Sequence, residues 1–122
     1  MKTAIAMLAT LSSIAPASAQ TGAHPPIPRD MEHWFPAGSD FYPAAAARAQ
    51  AEGTVEYTLT IGTDGRVSAC RIIASSGNAE LDATTCRAMA RYARFDPAAD
   101  DAGRPVVGEL TRKWTWTLPR WQ

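Results

Sequence analysis

The sequence predicts a small α+β domain, and three observations carry that class. Val55, Tyr57, Leu59 and Ile61 alternate with Thr54, Glu56, Thr58 and Thr60 at period two, the pattern of a strand with one buried and one wet face. Leu81, Cys86, Met89 and Ala93, with Ala90, fall near helical spacing. Alternation returns from Val106 to Leu118, with Leu110, Trp114, Trp116 and Leu118 on one face and Glu109, Thr111, Lys113, Thr115 and Thr117 on the other. With a turn at Thr63-Asp64-Gly65, the order is strand, turn, strand, helix, strand.

The elements follow from the amino terminus. Lys2, a mostly apolar run from Ala4 to Ala15, and Ala17-Ser18-Ala19 before Gln20 read as an export signal over residues 1–19, cleaved to leave Gln20 first. The apolar run is shorter than the roughly 20 residues that span hydrocarbon, and a retained anchor is the alternative. Residues 20–39 hold Pro25, Pro26, Pro28 and Pro36 with Gly22 and Gly38, which predicts an extended arm without helix or central strand. Trp34 is expected to fold back from that arm onto apolar surface. The domain proper takes residues 40–122.

Tyr42-Pro43 opens an alanine-rich helix over Ala44 to Ala51, proline being tolerated at a helix start. Glu52-Gly53 is expected to end it through a left-handed glycine. After the first strand, Asp64-Gly65 accepts the positive backbone angles of a hairpin, and Val67 to Ala74 returns as the second strand. Ser75-Ser76-Gly77-Asn78 breaks it, a helix runs from about Ala79 to Arg94, and Pro97 stops further helix. Ala98 to Arg104 reads as a loop, and Val106 to Leu118 as the last strand, whose tryptophans bury core.

Charge excludes one class of partner. The chain has 12 basic and 12 acidic residues, and loss of Lys2 with the signal leaves 11 against 12, so nothing draws it generally to polyanionic partners, nucleic acid or anionic lipid. Arg87, Arg91 and Arg94 recur at helical spacing and read as a solvated face. The mature 103 residues, 122 minus 19, allow a single core.

Cys70 alternates with Ile72 on the second strand and Cys86 lies on the helix stripe, so both thiols point into the space between helix and sheet. In an oxidising compartment such a pair reads as a structural disulfide worth roughly 3 kcal/mol; a redox pair would be expected as Cys-x-x-Cys at a helix start.

Candidate chemistry is sparse. His24 and His33 have no His-x-x-x-His spacing and no nearby cysteine, and read as solvated side chains, not metal ligands. Asp96, Asp100 and Asp101 lack the ligand series of a calcium loop. Ser75 and Ser76 read as turn caps, not nucleophiles. The expectation is a binding module that is not an enzyme and needs no cofactor.

A run of short motifs adds to this reading. In order they are Tyr42-Pro43 with Ala47, Glu52-Gly53-x-Val55, Asp64-Gly65-Arg66-Val67, Ser75-Ser76-Gly77, Leu81-Asp82, Phe95-Asp96-Pro97-Ala98 and Gly103-Arg104-Pro105-Val106. As a series they resemble the TonB C-terminal domain family. The resemblance implies an α+β fold in which two helices pack on one face of a three-stranded antiparallel sheet. It also implies a periplasmic module that grips an extended segment, the TonB box, of a TonB-dependent outer-membrane receptor or another envelope protein, and so serves transport powered from the inner membrane.

Strand addition is the physical basis of that role: an exposed edge satisfies its N–H and C=O groups with an extended peptide. By the resemblance, partner binding is carried onto Arg112, Lys113, Trp114, Thr115, Trp116 and Thr117 of the last strand, with Tyr42 and Pro43 beside it. Pairing between two copies, a homodimer, uses the same kind of edge. With neither a long proline-rich spacer nor a retained anchor, the expectation is a free periplasmic form; the alternative is a short energy transducer anchored in the inner membrane by an uncleaved amino terminus.

Overall fold

Three strands in the order β3-β2-β7 form the central sheet of the computed structural model, which describes residues 22–35 and 41–119. The elements are β1 (Ile27–Arg29), a 3-10 turn (Met31–His33), α1 (Ala44–Arg48), β2 (Gly53–Ile61), β3 (Val67–Ala74), α2 (Ala79–Tyr92), β4 (Arg94–Asp96), β5 (Ala98–Ala99), β6 (Pro105–Val106) and β7 (Gly108–Trp116). Two antiparallel pairs, β1 with β4 and β5 with β6, flank the main sheet. The export segment, residues 1–19, lies outside the described residues. None of the described helices is long and apolar enough to cross a membrane.

The core follows from the alternation in β2. Val55, Tyr57, Leu59 and Ile61 are buried and meet Leu81, Ala88 and Met89 of α2, while Trp34, Phe95 and Trp116 close the ends. Wet-face residues of β2 and β7 pair across the sheet through their hydroxyls, Thr54 with Thr115 at 2.9 Å and Thr58 with Thr111 at 2.8 Å. The Cys70–Cys86 disulfide joins β3 to α2 with the two Cα atoms 5.6 Å apart.

The family-like motifs do local structural work. Asp82 accepts hydrogen bonds from Ser75 Oγ at 2.5 Å, Ser76 Oγ at 2.6 Å and Ser76 N at 2.9 Å, and so ties the β3–α2 loop to the helix. Asn78 caps the helix by accepting from Leu81 N. Gly65, at φ +78°, has room for no side chain because a Cβ would run into the Phe95 carbonyl, and its own carbonyl accepts from Phe95 N at 2.9 Å. That contact docks the hairpin tip onto β4.

Burial alone pushes the Asp82 carboxyl up, but its three hydrogen bonds together outweigh this and hold it below its ordinary value. A folded-state value below the unfolded one contributes stability above the unfolded pKa, lost as pH falls through the folded value. Asp82→Ala is therefore expected to cost about 1 kcal/mol near neutrality, allowing for its partial exposure. In urea titrations the gap between variant and parent should close as pH drops below about 4; a gap that persists at pH 2 would assign the loss to packing instead.

Several expectations are corrected. The alanine-rich helix ends at Arg48, because Gln50 takes the left-handed position at φ 52°. Gly53 belongs to β2, where a Cβ would collide with the Ser76 carbonyl. The arm holds regular structure: among the described residues β1 pairs with β4 alone, an edge position that tolerates Pro28, and the 3-10 turn follows. The last strand is split, since Pro105–Val106 pairs with Ala98–Ala99 and the run along β2 begins at Gly108. Leu118 consequently lies past β7, where its N–H donates to Glu52 Oε1 at 2.8 Å. The second helix ends at Tyr92, and Arg94 stands on β4.

Candidate functional site

The two edges of the main sheet are not equivalent. β7 pairs with β2 over nine consecutive residues without a register shift, from Ile61 opposite Gly108 to Gly53 opposite Trp116. On the other side of β2, the pairing with β3 shifts register between Glu56 and Tyr57 and again between Thr60 and Ile61. Such irregularities twist an edge and blunt it against further pairing. Among the described residues nothing pairs with the outer side of β7, whose alternate N–H and C=O groups point away from β2. The arm, which has the extended form needed to fill that side, pairs with β4 instead.

Side chains stiffen β7 from within the fold. Trp116 is 3% exposed, and its Nε1 donates to Thr85 Oγ1 at 3.0 Å. Thr85 in turn donates to the Leu81 carbonyl at 2.8 Å, linking β7 to the backbone of α2. The Phe41 ring lies nearly parallel to Trp116 at 5.1 Å and Tyr42 meets it edge-on. Phe35 stacks on Trp114 at 3.9 Å between centroids. Trp34 is buried against Phe95 and donates from Nε1 to the Arg29 carbonyl, as the expected fold-back requires.

Of the residues proposed from sequence, Arg112, Lys113, Thr115 and Thr117 are exposed, Trp114 is half-buried and Trp116 is buried. Lys113 reaches Glu56 on the wet face at 3.5 Å. Arg112 faces the other way, opposite Tyr57. Burial pushes the Tyr57 hydroxyl pKa up and the Arg112 guanidinium draws it partly back. Tyr42 donates its hydroxyl to the Ala51 carbonyl, and Pro43 precedes α1; both stand beside the Trp116 end of β7.

What the sequence reading missed is the partner set of the two tryptophans. Phe35 and Phe41 lie over them, and the signal available was the pairing of aromatic doublets, Trp34-Phe35 and Phe41-Tyr42, with Trp114 and Trp116. Both histidines are exposed, with His24 Nδ1 against the Pro25 carbonyl and His33 beside Glu32. The described residues contain no group of three His, Cys, Asp or Glu placed to hold a metal ion. What the edge offers is a row of directed hydrogen-bonding groups on a rigid strand.

Comparison with known proteins identifies the family. Residues 39–118 match the family model described as Gram-negative bacterial TonB protein C-terminal. No curated protein matches. Among solved structures, the chain is similar to the Pseudomonas aeruginosa TonB CTD determined by solution NMR, at 26% identity and a TM-score of 0.54, over 66% of this chain and 80% of that one.

Proposed function

Because the chain belongs to the TonB protein C-terminal family, we propose that it is a non-catalytic binding module that takes an extended receptor segment by strand addition to β7. The observation that carries this reading is the contrast between edges: nine unbroken residues on β7, two register shifts on β3. A TonB box laid along Arg112 to Thr117 would complete the N–H and C=O groups of that edge, and its alternate side chains would meet Lys113 and Thr115 or Arg112 and Trp114. Tyr42 and Pro43 border the end of this track. We place the module in the periplasm after removal of residues 1–19, which mass spectrometry of the native amino terminus tests.

The pairing is tested without altering the protein. TonB-box peptides N-methylated at alternate amides lose a donor either toward β7 or toward solvent. One set is expected to lose about tenfold or more in affinity by calorimetry, and the other to bind like the parent peptide. Equal tolerance of both sets would exclude a backbone ladder, and no binding of the parent peptide would remove the proposed role.

A further inference from the structure

The opposite edge of the sheet carries a groove that the proposed function leaves unused. Its volume is about 310 Å³, and its walls are Val67 to Cys70 of β3 with Cys86, Arg87 and Ala90 of α2. The disulfide, Val67, Ala69 and Ala90 make the surface largely apolar. The rim is cationic. Arg87 is exposed and anchored by donation to Thr84 Oγ1 at 3.1 Å, and Arg91 is exposed one turn further along α2. Arg66 precedes Val67 and lies opposite Arg94 across an antiparallel bridge.

Arg87 lines the groove and Arg91 follows it one turn along the exposed side of α2, so this border is cationic in a chain whose basic and acidic residues balance. Among the described residues, the carboxylate ion pairs are those of Arg29, Arg104, Lys113 and His33, and neither Arg87 nor Arg91 is among them. Asp64, close by in the hairpin, spends one carboxylate oxygen on the Arg66 backbone N–H.

We propose that this groove docks a short, extended, acidic segment of a partner protein, separately from the segment taken by β7. A groove walled by a strand edge and a helix admits an extended chain, held here mainly by side-chain contacts along the helix because the register shifts blunt β3 as a pairing edge. Between its two register shifts β3 keeps only Ala69 to Ile72 in regular pairing, so the ladder is short. Carboxylates on Arg87 and Arg91 must then supply much of the binding, and guanidinium groups suit them by their paired donors. Small apolar side chains of the segment would cover the disulfide and Ala90. Binding of this kind weakens with salt, in contrast to a ladder of neutral amides.

The test uses the oxidised protein with a fluorescent peptide of alternating Glu and Ala and its Lys-Ala counterpart. At low salt the acidic peptide is expected to bind, to shift the amides of Ala69, Cys70, Arg87 and Ala90, and to weaken about tenfold at physiological salt. The double variant Arg87→Ala/Arg91→Ala, changed only on an exposed helix face, is expected to lose about tenfold in affinity with an unaltered melting temperature and unaltered TonB-box binding. Equal binding of the Lys-Ala peptide, shifts confined to β7, or no binding at low salt would overturn the proposal. So would arginine-dependent capture by anionic lipid vesicles without peptide binding, which would assign the cations to a membrane surface.

Discussion

Trp116→Ala is expected to remove about 3–5 kcal/mol of folding stability, the range for deleting a large buried aromatic side chain. Trp116 is 3% exposed and contacts three aromatic rings, Phe41, Tyr42 and Trp114, so the vacated space has walls from both β7 and the segment before α1. These walls belong to different elements and are tied by other bonds, which limits collapse into the gap. The indole also donates to Thr85 Oγ1, whose own proton goes to the Leu81 carbonyl, so the substitution strips an acceptor of its partner inside the core. Trp116→Phe separates the two contributions: most of the ring volume returns, and about 1–2 kcal/mol should remain lost for the missing N–H. Urea unfolding of both variants checks this. A cost below about 1 kcal/mol for alanine would mean that Trp116 is peripheral and that β7 is held by its ladder with β2 alone.

The same residue links stability to the proposed peptide binding. Strand addition requires an edge that keeps its shape before the peptide arrives, since ordering a strand at the moment of binding costs about 1–2 kcal/mol per residue. β7 is held by β2 along its whole length and by the aromatic contacts on one face. Loss of Trp116 should therefore weaken peptide binding as well as folding, even at temperatures where the variant remains folded.

Elements whose signals are local were legible in the sequence. β3 runs from Val67 to Ala74 as read, because the Asp64-Gly65 turn fixes where the return strand begins. Ser75 and Ser76 act as turn caps, as their side-chain chemistry predicts, by accepting from Gly77 N and Asn78 N. Features set by distant contacts were not legible. The apparent strand from Val106 splits because Val106 pairs with Ala98, while Gly108 passes so close to Ala98 and Pro26 that a Cβ there would crowd both. Gly53 looked like a helix stop, yet what demands glycine there is the Ser76 carbonyl, 23 residues away in sequence. Alternation places Arg112 on the apolar face opposite Tyr57, where its exposure keeps the charge in water. The edge itself was anticipated from the family motifs; its unbroken register and the blunted condition of β3 required coordinates.

Opening the Cys70–Cys86 bond is expected to cost roughly 3 kcal/mol, a large share of the 5–15 kcal/mol typical of a small domain. The bond links positions 16 apart in sequence, on β3 and α2, and in the chain-entropy account its effect falls mainly on the unfolded ensemble. That mechanism has a signature. The Cys70→Ala/Cys86→Ala variant should unfold at lower denaturant with a larger m value, because an unlinked chain exposes more surface. If native contacts carried the effect instead, m would stay constant and the unfolding rate would rise to match the whole loss. Function should respond differently from stability, since β2 separates the stapled strand from β7. Below the lowered melting temperature the variant should still bind a TonB-box peptide within about twofold of the parent, a difference near RT ln 2. A loss of tenfold or more in the folded variant would place the staple in the binding mechanism and would make the two edges of this sheet a coupled pair.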